Sequence, residues 1–204
     1  MTVSQGPKPF APASVGPSGE VHSEDFAVKF VSYQSPTGPR AALAHGGSYF
    51  DVNAADPVVS GARVFISSGY KHGGALLDVS RGSPQLVWEN KNMRNQFNSC
   101  VLWQGHLYGV DDNQLRCLAF DTGEVKWTDK ISGKGSLMLA DGKLIVLSEK
   151  GELFVAEASP AGFKPRSRAQ VLGGKCWTTP VLANGRIYCR NAAGDVVCVD
   201  VSGK

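Results

Sequence analysis

The sequence predicts an all-β protein made of repeated four-stranded antiparallel sheets, and three observations support this. The 204 residues include 24 glycines but only 19% charged residues, a composition typical of short strands joined by tight turns. A hairpin pattern recurs four times, and its turn glycines are separated by 44, 37 and 43 residues. A period near 40 residues matches one blade of a propeller. We therefore expect a partial β-propeller of about four four-stranded blades.

Each repeat begins with a hairpin in which two apolar runs flank a turn centred on glycine. A two-residue hairpin connection favours glycine because its central positions take positive φ. We assign these hairpins to strands A and B of each blade, with SG, QG, DG and NG as the turns. The turn glycines are Gly61, Gly105, Gly142 and Gly185.

An alternating apolar segment follows each hairpin and is assigned to strand C. These segments read GGALLDVS, QLRCLAFD, GELFVAEAS and GDVVCVDVS. Strand D is visible in two repeats, as QLVWEN and EVKWTD, whereas the third repeat has only GFKPRSRAQ there and the fourth stops before D. The predicted blades lie near residues 55–92, 98–130, 135–170 and 178–204.

Residues 1–50 differ from the rest, because they contain six of the eleven prolines and no copy of the hairpin. We expect this segment to be poorly ordered and outside the propeller, with FAVKFVSY as a candidate strand between loops, and the propeller to occupy 51–204. A ring of seven or eight blades needs roughly 300 residues at this period. The chain is therefore expected to be a fragment of a larger protein; closure by edge-to-edge self-association of two copies is the alternative.

Charge, hydropathy and motifs exclude several functions. The net charge of +3 comes from scattered residues without a basic cluster, which argues against a nucleic-acid partner. No run reaches the roughly 18 apolar residues of a membrane span, and no signal peptide is visible. The five cysteines form no CxxC pair and have no histidine at zinc-ligand spacing, so we expect free thiols and no metal site. No catalytic motif such as GxSxG or HExxH is present, and no catalytic residue is assigned.

The segment CLAFDTGEVKW, residues 117–127, resembles the tryptophan-docking repeat of PQQ-like (quinoprotein alcohol dehydrogenase-like) β-propellers. Its Thr-Gly pair and its tryptophan match that repeat, although Ala119 stands where the repeat has Asp. The resemblance covers roughly residues 52–204 and implies that each indole is buried between adjacent blades, worth about 2 kcal/mol or more. The docking residues it implies are Trp88, Thr122, Gly123 and Trp127.

The resemblance implies fold more strongly than activity, because the family includes both quinoprotein dehydrogenases and a propeller subunit of the outer-membrane β-barrel assembly machinery. We expect a binding or scaffold module without enzymatic activity in this chain. The alternative is part of a PQQ-dependent dehydrogenase, and PQQ as a cofactor rests on the resemblance alone. The resemblance also implies a periplasmic or secreted location for full-length relatives.

The segments that lead into each strand A are predicted to form the mouth of the central channel. Their cations and one indole could bind a protein partner or a small, planar anionic ligand, because Lys and Arg pair with carboxylates and an indole offers a stacking face. The alternative is that they satisfy loop carbonyls and line a water-filled channel. The predicted ring consists of Asn53, Arg94, Asn98, Lys134, Lys175 and Trp177.

Overall fold

The computed structural model describes residues 54–81, 84–131 and 133–203, together with the backbone of three strands between residues 19 and 46. Every regular element in these residues is a β-strand, and all strand pairs are antiparallel. The described residues contain no helix long and apolar enough to cross a membrane. The first three strands form a sheet of their own in the order β1 (Gly19–His22), β2 (Ala27–Ser35), β3 (Gly38–Gly46).

Four further sheets follow, and in each the spatial order of strands equals their order in the chain. Blade 1 contains β4 (Val58–Ser60), β5 (Arg63–Ser68), β6 (Gly73–Asp78) and β7 (Gln85–Asn90). Blade 2 contains β8 (Val101–Trp103), β9 (His106–Asp111), β10 (Gln114–Ala119) and β11 (Val125–Lys130). Blade 3 contains β12 (Ser136–Ala140), β13 (Lys143–Leu147), β14 (Glu152–Glu157) and β15 (Pro165–Gln170). Blade 4 contains β16 (Val181–Ala183), β17 (Arg186–Arg190) and β18 (Val196–Asp200), which confirms the predicted all-β fold of four propeller blades.

Three of the four A–B turns have the predicted residues. Gln104, Asp141 and Asn184 have φ of 46°, 48° and 51°, and the glycine after each is also positive. In blade 1 the prediction of an SG turn is wrong, because Ser60 pairs with Arg63 and the two turn residues are Gly61 and Ala62. Gly61, with φ 58°, takes the first central position, where a type II′ turn requires glycine.

Strand D of blade 3 is longer than its sequence indicated. All six side chains of β15 are exposed, so the segment has no apolar alternation by which it could be recognised. Its backbone nevertheless pairs with β14 from Glu152↔Gln170 to Ala156↔Pro165. Blade 3 is therefore a complete four-stranded sheet.

The segment before residue 50 also contains more strand than expected, since β1 and β3 lie where loops were predicted. The dense prolines suggested a linker, but Pro39 is the second residue of β3, an edge strand of its sheet. Edge strands tolerate proline because they have one unpaired side. The rest of residues 1–50, and the predicted disorder there, lie outside the described residues.

The core consists of layers between consecutive blades, because alternate side chains of each sheet face opposite neighbours. In blade 3, Leu144 and Val146 pack toward blade 2, whereas Ile145 and Leu147 pack toward blade 4. All four are buried. Both faces of a central blade are thus apolar, as the composition of the strand C segments indicated.

Two indoles cross from one blade to the next. Trp88 Nε1 donates a hydrogen bond to the Phe120 carbonyl at 2.9 Å, and Trp127 Nε1 donates to the Ser159 carbonyl at 2.8 Å. Gly123 lies directly against the Trp88 ring: a Cβ at this position would be 2.7 Å from Cε3 of the indole. The Thr122 hydroxyl accepts a hydrogen bond from the Glu124 amide at 3.3 Å within the same turn.

Candidate functional site

The loops leading into β8, β12 and β16 lie at the same end of their sheets as the turns between strands B and C. This follows from the alternating direction of antiparallel strands. We call this end the loop face and define it by residues 91–100, 112–113, 133–135, 148–151 and 171–180. It contains every predicted ring residue that the structure describes.

Trp177 is the main aromatic residue of the loop face, and its side chain is held on several sides. Its ring stacks on Phe97 with centroids 4.7 Å apart, and its Nε1 donates to Glu149 Oε1 at 3.1 Å. The ammonium of Lys175 lies 4.3 Å from the ring centroid, within the range of a cation–π contact. Trp177 remains 42% exposed, so a fixed indole surface faces solvent.

Glu149 joins two of the loops through both of its carboxylate oxygens. Oε1 accepts from Trp177 and Oε2 accepts from the backbone amide of Lys134 at 2.9 Å. The Lys134 ammonium in turn bonds the side-chain oxygen of Gln96. Gly133 makes this arrangement possible, because its φ is 76° and a Cβ there would lie 2.2 Å from Oε2. Lys134, Lys175 and Trp177 therefore belong to one cluster that connects blades 2, 3 and 4.

Arg94 has a different role, because it pairs with a buried carboxylate. Its Nε and Nη2 donate to the two oxygens of Asp111 at 2.7 and 2.9 Å, and this hydrogen bonding raises the pKa of the guanidinium. Asp111 has a fully buried side chain and also contacts Arg116 Nη1 at 2.8 Å. Asp112 lies 3.3 Å from Arg94 on the solvent side. Arg94 thus ties the loop before β8 to blade 2.

Asn98 is also directed inward. It is 5% exposed, and its side-chain amide donates to the carbonyls of Gly135 at 2.8 Å and Val110 at 3.4 Å. This is the role of satisfying loop carbonyls that the sequence left open as an alternative. Asn53 lies outside the described residues.

Several of the groups that a planar anionic cofactor such as PQQ would use already have protein partners at the loop face. Such a molecule needs cations without partners beside an accessible indole face. Phe97 and Lys175 both lie against Trp177, while Lys134 is bonded to Gln96 and Arg94 to Asp111. Across residues 54–81, 84–131 and 133–203, no group of three His, Cys, Asp or Glu side chains is placed to hold a metal ion.

All five cysteines are free thiols, and four of them are buried. Cys176, at the loop face, is 0% exposed, and burial raises the pKa of its thiol. Burial also raises the pKa of Cys189 to about 11. A thiol that keeps its proton is a poor nucleophile.

No sequence signal singled out Gln96, Phe97, Glu149 or Asp111, although they hold the predicted residues in place. Glu149 and Asp111 belong to the B–C turns or to the strand end just before them. The order of strands in a blade places those turns beside the loops that lead into strand A. A search of both sets of turns would have found the two carboxylates.

The repeated meanders and the indoles that cross between them define the class of this protein as a β-propeller. Residues 38–129 match a family model described as "Outer membrane protein assembly factor BamB". This match covers the docking repeat, so residues 38–129 are similar in sequence to the PQQ-like β-propeller repeats, as the resemblance implied. The match starts at residue 38, before the point near 52 where the resemblance was first visible, and it includes β3.

Solved structures show the same fold at low sequence identity. BamB from Moraxella catarrhalis is 14% identical with a TM-score of 0.60, and the alignment covers 91% of this chain and 57% of that one. The computationally designed Ika8 protein is 9% identical with a TM-score of 0.64, covering 89% and 57%. The designed Ika4 protein is 11% identical with a TM-score of 0.55, covering 71% and 89%. This chain therefore spans little more than half the length of BamB, and no curated protein matches its sequence.

Proposed function

We propose that this chain is a non-enzymatic propeller module that binds a protein partner through its loop face. The observation that carries the proposal is Trp177, an indole that is 42% exposed yet fixed by Phe97, Glu149 and Lys175. Tryptophan is enriched among the residues that dominate binding energy at protein interfaces. An indole that is already held in place loses little conformational entropy on binding.

The charges around Trp177 indicate the chemistry of the partner. Lys175 is exposed and its ammonium lies 4.3 Å from the ring centroid, so a positive charge lies beside the indole, whose Nε1 is bonded to Glu149. A partner segment with an apolar side chain flanked by Asp or Glu would complement this surface. The description of the matching family as an outer membrane protein assembly factor supports a protein partner and an exported full-length form.

Photo-crosslinking in the native host tests the proposal. A photoreactive amino acid at the exposed position Thr179, two residues from Trp177, is expected to capture a defined protein. The same group at the exposed position Ala161, on the C–D turn of blade 3, serves as the control position. Equal capture at both positions, or none at Thr179, would count against the loop face as the binding surface.

A matched pair of substitutions then measures the contribution of the indole. Trp177→Ala is expected to weaken binding of the captured protein at least tenfold, about 1.4 kcal/mol. Tyr188→Ala removes a side chain of similar exposure, 37%, from the sheet face of the same blade and should leave binding unchanged. If both variants bind as the unmodified chain does, Trp177 is not the anchor.

The alternative role, as part of a PQQ-dependent dehydrogenase, is tested on the same purified chain. Spectra and dye reduction are recorded after reconstitution with PQQ and calcium. Saturable PQQ binding together with turnover would overturn the scaffold proposal.

A further inference from the structure

The cross-strand register aligns one equivalent side chain from strands B, C and D in each of blades 1, 2 and 3. A β-bulge on strand D lies next to this row in blades 1, 2 and 3, which fixes the equivalence without any sequence alignment. The three rows are Phe65–Leu76–Trp88, Tyr108–Cys117–Trp127 and Ile145–Val155–Ser167.

The first two rows end in the docking indoles. In blade 1 the rings of Phe65 and Trp88 are 5.6 Å apart, and in blade 2 the rings of Tyr108 and Trp127 are 6.0 Å apart. Blade 3 has neither aromatic residue. Ser167 stands at the position of the tryptophan and Ile145 at that of its aromatic neighbour.

The surface that the next blade presents to each of these rows is nevertheless similar in all three interfaces. In blades 2 and 3 three apolar positions face this row: one on strand A, one on strand B and one just after strand C. Their side chains pack in the cluster that contains the indole of the preceding blade. Blade 4 presents the same three positions with apolar residues of ordinary size. The three sets are Leu102, Leu107 and Phe120; Leu139, Leu144 and Ala158; and Leu182, Ile187 and Val201.

A half-open cavity of about 400 Å³ lies between blades 3 and 4 at this position. Its floor is apolar, and Asp141, Lys143 and Ser167 add a few polar groups. This size and lining are typical of sites for small organic molecules. The apolar wall residues are Ile145, Val155, Leu182, Ile187 and Val201.

We propose that this cavity is a binding site for a free small molecule with a planar aromatic ring of indole size. The two neighbouring interfaces show which group the site accommodates, since each holds an indole against the equivalent wall. Both of those indoles donate to a carbonyl just after strand C of the next blade. The corresponding carbonyls in blade 4 belong to Val201 and Ser202, so a ring N–H or O–H on the ligand is expected to donate there. The proposal does not depend on the function of the loop face.

Titration of the whole chain with indole, followed by methyl NMR, tests the site. Saturable one-to-one shifts are expected in the methyl groups of Val155, Leu182 and Ile187, which lie on the two walls. The absence of saturable shifts up to the solubility of indole, or shifts that map elsewhere, would overturn the proposal.

Ser167→Trp restores the indole found in blades 1 and 2 and should fill the cavity. Indole binding is then expected to weaken at least tenfold, while the melting temperature rises and the new indole shows blue-shifted emission. Arg166→Trp is the matched control, because it adds the same ring one residue away at a side chain that is 70% exposed and paired with Glu157. It should bind indole as the unmodified chain does. Ser167→Leu is a second, smaller filling variant that keeps the test valid if Ser167→Trp does not fold.

N-acetyltryptophanamide distinguishes a free molecule from the side chain of a protein partner. Weaker or equal binding relative to indole supports a site for a small molecule. Clearly tighter binding of the amide would assign the cavity to a partner's tryptophan and overturn the proposal as stated.

Discussion

Gly123→Ala is expected to destabilise the junction between blades 1 and 2. Gly123 has φ of 68°, and a Cβ there would lie 2.4 Å from Asn90 Nδ2 and 2.7 Å from Trp88 Cε3. The left-handed backbone costs an alanine about 1–2 kcal/mol. Displacing well-packed neighbours costs about 1–3 kcal/mol more. We therefore expect the free energy of unfolding to fall by about 2–5 kcal/mol.

Gly105→Ala is the matched control for this substitution. Gly105 also has a positive φ, 74°, but no heavy atom beyond its chain neighbours lies within 4 Å of its Cβ position. It should lose only the backbone contribution, about 1–2 kcal/mol. The difference between the two variants isolates the contact with Trp88.

Urea unfolding monitored by circular dichroism measures both losses. Equal losses within about 0.5 kcal/mol would refute the docking role of Gly123, because only the steric contribution separates the two positions. In a Trp88→Ala background the extra loss of Gly123→Ala should shrink, since the clashing ring is gone.

Three further predictions concern buried groups. Asp111→Asn should lower the free energy of unfolding by about 3–5 kcal/mol, because Arg94 and Arg116 lose a buried anion. Asp112→Asn changes a side chain that is 49% exposed and should cost about 1 kcal/mol or less. Similar losses for the two variants in urea unfolding would contradict this prediction. Only Cys198 should react rapidly with a thiol reagent in the native chain, and all five should react in denaturant; more than one fast thiol would show that the blades open readily. Burial raises the pKa of Cys117 and Cys189 to about 11. These thiols therefore lose their protons at higher pH in the folded state than in the unfolded state, and the free energy of unfolding should fall as pH rises above about 9. Cys189→Ser should make that fall less steep between pH 8 and 10.5.

The blades could be predicted from the sequence because hairpins are local. Asp141-Gly142 and Asn184-Gly185 have the residue types that their positive φ values favour, and Gln104-Gly105 has the glycine, so the turns are visible without any distant contact. β15 was not predicted as a full strand for the opposite reason. Its side chains are exposed, and only its pairing with β14 makes it a strand.

The candidate site was predictable only in part. Lys134, Lys175 and Trp177 do come together, because the topology of a blade brings the loops before strand A to one end. Arg94 and Asn98 turn inward, since Asp111 and the carbonyls of Val110 and Gly135 lie close enough to bond them. Those partners are 12 to 37 residues away in the chain.

The sequence by itself determined the all-β class, the four-blade period and the resemblance of the repeats to a known family, because turn residues and alternation act over a few neighbouring positions. Only the tertiary structure decided that Glu149 fastens Trp177, and that Ser167 occupies the position taken by an indole in blades 1 and 2. Both depend on which residues of separate strands and loops lie opposite one another. That register is set by the packing of whole blades, so no local pattern reveals it.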